Sequence, residues 1–241
     1  MLINLLLLTL LSSGIDVEIL TAELHIETGM AYLVQGLPDN AFAEFETALD
    51  ISDNANEAYL GLARVAAIRE SYLVAEEHYK HYIEIEPHNY LAPLELSKML
   101  LLTNIRSIEA LDYANSALAL APLNGECWLI IADAEARLHN NEAAINWYTR
   151  LIIENEELAD TSRVQLGYLY FNEGNLQKAR EVLLGTETIG AYHLLALIYL
   201  EQHDNLRAID NINRYLYLNP NGNWADSARI YLNELSEPGL Y

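Results

Sequence analysis

The chain has 241 residues, 52% of them hydrophobic, with six prolines, one cysteine and a formal net charge of −22 that sets 13 Lys and Arg against 35 Asp and Glu. This composition supplies ample material for one helical core. It disfavours nucleic acid, because a phosphate backbone asks for a cationic stripe and the sequence has no basic run. The lone Cys127 excludes an intrachain disulfide and a thiolate metal cluster.

Leu2 to Leu11 is almost wholly apolar and runs into Ser12, Ser13 and Gly14. That order reads as the core and cleavage site of an export signal, although no Lys or Arg precedes it. The alternative is a first helix packed on the next stretch of chain. Ten apolar residues are too few to cross a bilayer as a helix, so no membrane span is expected. Residues 1–21 are taken as this leader; export would place the protein outside the cytoplasm and a retained helix would leave it inside.

From there the chain repeats itself. Ala41, Ala75, Ala110, Ala144, Ala179 and Ala208 recur at spacings of 34, 35, 34, 35 and 29 residues. A period near 34 means one supersecondary unit copied along an axis, each copy burying its apolar face against its neighbours. In this register the units are 22–55, 56–89, 90–124, 125–159, 160–188 and 189–222. Position 8 of each unit (Gly29, Ala63, Ser97, Ala132, Gly167, Ala196) and position 20 (the six alanines) hold only Gly, Ala or Ser. Two helices crossing closely there would tolerate nothing larger. Pro87, Pro122 and Pro220 close second helices, and the asparagines that follow them are candidate caps for the next helix. Gly36, His139, Gly174 and His203 begin turns inside the units.

Gly29, Tyr32, Ala41, Phe45 and Ala48 in the first unit, Tyr59, Leu62, Ala63, Ala75, Tyr79 and Pro87 in the second, and Tyr192, Leu195, Ala196, Tyr199, Ala208 and Pro220 in the sixth carry the signature. With them the sequence resembles the tetratricopeptide repeat family. The resemblance implies an all-α fold: a right-handed α-α superhelix, or solenoid, of about six helical hairpins. It also implies a concave groove lined by positions 2, 5, 9 and 12 of each first helix. Mapped onto this chain, those positions give a groove with Ile26, Met30, Leu60, Arg64, Leu94, Lys98, Leu129, Tyr168 and Phe171 as its candidate peptide-binding residues, and Leu33, Glu57 and Leu91 beside them. Arg64 and Lys98 share position 9 in consecutive units. Either they receive a carboxylate from a ligand, or they pair with acidic neighbours such as Glu57 or Glu95. Ile26, Met30 and Gly61 stand where the family's chaperone-binding members place clamp residues, so that mode of recognition is not expected.

The fifth unit is short. Its second helix, Leu176 to Leu184, is broken by Gly185, Thr186 and Gly190, which suggests a hinge. After Gly222, residues 223–241 carry Trp224, Ala228, Tyr231, Leu232 and Leu235 on one face and read as a capping helix with a polar exterior.

Reaction chemistry is not evident. No phosphate-cradling loop, nucleophile elbow or zinc-protease helix is present, and no cofactor is expected. Scattered His78, His81 and His88 with Glu77 and Glu84 form the nearest approach to a metal site, and Cys127 reads as core. The reading is a non-catalytic scaffold that takes a protein or peptide partner in the groove, with self-association open. A second reading is a bacterial cell-envelope or pilus-assembly accessory protein, since the plan is similar to such proteins with six repeats behind an export signal. A third is a metal-binding or enzyme accessory module.

Overall fold

The computed structural model describes residues 17–103 and 106–236; the apolar run expected as an export signal and the last five residues lie outside them. Thirteen α-helices and no strand occur among the described residues. They are α1 (Val17–Val34), α2 (Pro38–Ile51), α3 (Asn56–Ile68), α4 (Tyr72–Ile85), α5 (Leu91–Leu102), α6 (Ser107–Leu120), α7 (Gly125–Arg137), α8 (Asn141–Glu154), α9 (Glu156–Asn172), α10 (Leu176–Leu183), α11 (Ile189–Glu201), α12 (Asn205–Leu218) and α13 (Ala225–Ser236). Each odd helix packs on the even helix after it, and each hairpin packs on the next within two compact units, 1–123 and 124–241. α1 begins five residues ahead of the first expected repeat, so residues 17–21 are continuous with that repeat's first helix.

One device turns the chain inside five of the six hairpins. Gly36, Glu70, His139, Gly174 and His203 have positive φ, between 56 and 75°. All five stand at position 15 of their repeats. Around each, two backbone bonds close the first helix: Gly36 N–H reaches Leu33 O at 3.0 Å and Leu37 N–H reaches Tyr32 O at 2.9 Å, and the same pair recurs at the other four. This is the left-handed helix stop that satisfies the last carbonyls of a helix. Three of the five positions carry a side chain that the left-handed region penalises by about 1–2 kcal/mol, so the hairpin fixes the turn geometry and the sequence accommodates it.

The small residues sit where the helices cross. All six alanines of position 20 and the Gly, Ala or Ser residues of position 8 are buried. In the first unit the Phe45 ring is held between two glycines: a methyl group on Gly29 would lie 2.6 Å from it, and one on Gly61 closer still. Phe45 therefore joins α2 to both α1 and α3, and its bulk is what makes glycine necessary at those two sites. In the second unit a methyl on Gly167 would stand 3.0 Å from Leu194 and 3.2 Å from Leu183.

The expected asparagine caps divide. Asn124 accepts from Cys127 N–H at 3.0 Å and caps α7. Asn89 instead accepts from Leu91 N–H at 2.9 Å, two residues on, so it bends the approach to α5 without capping it. At the last junction the Tyr215 hydroxyl accepts from Trp224 N–H at 3.3 Å. α13 and the Trp224 before it lay Trp224, Ala225, Ala228, Tyr231, Leu232 and Leu235 against Tyr192, Ala196, Ile212 and Tyr215, covering the end of the sixth hairpin. The break after α10 is pinned at both ends: Thr186 N–H reaches Leu183 O at 3.0 Å and the Thr188 side chain caps α11 through Ala191 N–H at 3.3 Å.

Candidate peptide groove in the amino-terminal unit

The first helices of the first three hairpins bound a cavity of about 580 Å³. Met30, Leu33 and Val34 enter it from α1, Glu57, Leu60 and Arg64 from α3, Tyr82 from α4, Asn89 from the turn before α5, and Leu91 from α5. The helical repeat of 3.6 residues brings Leu60 and Arg64 to one face of α3, and Met30 with Leu33 to one face of α1. The walls are therefore apolar, with Val34 standing 90% exposed at the edge.

The cationic member of the lining, Arg64, is held by Glu95 of α5. Arg64 donates to it from Nε at 2.8 and 3.1 Å and from Nη2 at 2.6 Å, and the Tyr79 hydroxyl donates to it at 3.1 Å. The sequence left Arg64 to bind a ligand acid or pair internally; it pairs with Glu95. The bond to Glu95 raises the guanidinium pKa further, and burial with the adjacent carboxylate pushes the Tyr79 hydroxyl up, so both stay protonated. Among the described residues, Nη1 of Arg64 meets only the Met30 thioether, at 3.2 Å. A thioether is a weak acceptor, which leaves that edge of the guanidinium ready for a stronger one.

Of the nine residues expected in the groove, Met30, Leu60 and Arg64 come together in this cavity. Ile26 is half-buried against the first hairpin's core. Leu94 is 1% exposed and presents no surface to a ligand, because position 5 of the third repeat turns into the core. Lys98 is half-buried on α5. Leu129, Tyr168 and Phe171 belong to the second unit, on α7 and α9, with Tyr168 and Phe171 packed on the core of the fifth and sixth hairpins. Position-by-position mapping missed Val34, Tyr82 and Asn89. The first lies one residue beyond the mapped face, and the others belong to a second helix and a turn.

His78 and His81 pack around Tyr59, at ring-centroid distances of 6.3 and 4.3 Å. Burial lowers the His78 pKa. Among the described residues no three His, Cys, Asp or Glu side chains converge as a metal site, and no described helix is long and apolar enough to cross a membrane.

Two family profiles described as tetratricopeptide repeat match this chain, one over residues 26–90 and 106–159 and the other over 161–184 and 189–221. The chain belongs to the tetratricopeptide repeat family. No curated protein matches its sequence. Solved structures of the same fold include PilW, described as a widely conserved type IV pilus biogenesis factor, at 16% identity and a TM-score of 0.76 over 86% of this chain and 98% of that one. PilF of Pseudomonas aeruginosa superposes with a TM-score of 0.72 at 16% identity over 89% and 99%. YrrB, described as a TPR protein with an unusual peptide-binding site, gives 0.54 at 18% identity over 77% and 97%. At these identities the likeness is one of fold, and tetratricopeptide repeat architecture is what it shares with this protein.

Proposed function

We propose that this tetratricopeptide repeat protein is a non-catalytic scaffold whose amino-terminal unit captures an extended peptide or partner helix. An apolar side chain enters the cavity between α1, α3 and α5, and a carbonyl or carboxylate of the ligand meets Nη1 of Arg64. The observation that carries this reading is the juxtaposition of an open apolar cavity with an arginine edge that, among the described residues, meets only a thioether. Filling the cavity with a Leu- or Phe-sized side chain contributes about 1.5–3 kcal/mol, and a carboxylate on a positioned guanidinium adds specificity.

The test is selection of peptides from a random display library on the intact chain, followed by binding to a Val34→Asp variant. Val34 is exposed enough for the substitution to leave folding intact, yet it puts a charge at the mouth of the cavity. Selected peptides should share an apolar residue and lose at least about tenfold in affinity, roughly 1.4 kcal/mol. Peptides without that residue, or with unchanged affinity for the variant, would remove the cavity from the site.

A second reading, an accessory protein of pilus assembly or the cell envelope, is supported by the near full-length superposition on PilW and PilF. In that reading the groove's ligand is a segment of another assembly component.

A further inference from the structure

The second unit holds a cavity of different character. It has a volume of about 250 Å³ and is lined by Asp133 and Arg137 of α7, Tyr148 of α8, and Gln165, Tyr168 and Asn172 of α9. Asp133 and Tyr168 stand at position 9 of the fourth and fifth repeats, the position that carries Met30 and Arg64 in the first two. The same architectural slot is thus acidic here and cationic there.

Asp133 is held but not satisfied. The Tyr148 hydroxyl donates to its Oδ1 at 2.6 Å, the one hydrogen bond Asp133 makes among the described residues. A carboxylate accepts about four hydrogen bonds, so Oδ2 remains open. Burial pushes the Asp133 carboxyl up, opposed by the Tyr148 bond and by the charge of Arg137. Arg137 is exposed at the rim and has contacts of its own. Gln165 and Asn172 are exposed beside it and offer amide oxygens. The Tyr168 hydroxyl is committed to His193 Nδ1 at 2.8 Å, so what Tyr168 brings to the cavity is its ring.

We propose that this cavity is a second peptide subsite, one that takes a cationic side chain, Arg or Lys, with Asp133 as counter-ion. A carboxylate with one open oxygen, amide acceptors and an aromatic ring together match a guanidinium or ammonium group, whose donors point outward and whose face stacks on π-systems. A chain of net charge −22 also draws cations toward it at long range. The proposal rests on the peptide-binding reading above only in treating the ligand as a peptide side chain.

The test uses N-acetyl-arginine amide and its neutral isostere N-acetyl-citrulline amide, titrated into the intact chain at physiological salt while the Tyr148 and Tyr168 ring signals are followed by NMR. The arginine amide should shift both signals in a saturable way, and the citrulline amide should bind at least tenfold more weakly. Asp133→Asn should abolish that preference with helicity by circular dichroism unchanged, while Glu142→Gln, an exposed acid on α8 and the same change of charge, should keep it. Equal binding of the two amides to the native chain, or a preference that survives Asp133→Asn, overturns the proposal; the first needs no variant to fold. Peptides selected on the amino-terminal cavity should bind Asp133→Asn as they bind the native chain, so failure here and failure of the first site remain separate results.

Discussion

Glu76 is nearly buried on α4, and its carboxylate gathers Arg106 at 2.5 and 2.9 Å and Lys80 at 2.6 Å; Arg106 also holds Glu109. Hydrogen bonding from Arg106, then from Lys80, lowers the Glu76 pKa to about 2 against burial. A carboxyl depressed in the folded state contributes stability that is whole above its unfolded pKa, near 4.5, and fades as pH falls through about 2. Glu76→Gln should cost about 1 kcal/mol at neutral pH by leaving the half-buried Arg106 and the exposed Lys80 short of a charge. It should also flatten the fall in melting temperature between pH 4.5 and 2. Parallel melting curves for native and variant chains across that window would show that Glu76 carries no such linkage. At this scale the sequence was legible where size mattered. Six alanines and the Gly, Ala and Ser of position 8 announce a close crossing, and all are buried. It was not legible where partners lie far apart in sequence: the separation of 31 positions from Arg64 to Glu95 left two pairings open. Asp133 drew no notice because its meaning depends on Tyr148 and on the side chains of α9.

Helices are set off by signals of unequal clarity. Gly36 and Gly174 mark their turns plainly, whereas Glu70 adopts the same left-handed conformation with no residue preference to betray it. What identifies it is register, 34 residues after Gly36. The final helix was readable from its apolar stripe, and α13 sets that stripe on Tyr192, Ala196, Ile212 and Tyr215. Trp224 ties the junction together, with ring centroids 4.5 Å from His193 and 5.0 Å from Tyr215. A chain ending at Gly222 bares this surface. It should self-associate in light scattering and melt at lower temperature, and a truncated chain that stays monodisperse with an unchanged melting point would deny α13 a capping role.

Across the molecule, one repeat supplies two cavities of different character. Small residues at positions 8 and 20 keep each hairpin tight, and the first-helix residues are then free to vary. The amino-terminal unit uses them to line an apolar cavity beside Arg64; the second unit uses them to surround Asp133 with polar groups. The family profile gives the frame, and in the proposed reading these side chains give the recognition. The measurement that bears most directly on this is a crystal structure of the intact chain with a peptide selected on it. The account predicts an apolar side chain of the peptide against Met30, Leu33, Leu60 and Leu91, with a peptide oxygen within hydrogen-bond distance of Nη1 of Arg64. A peptide seated on the second-helix face, with the cavity between α1, α3 and α5 empty, would contradict it.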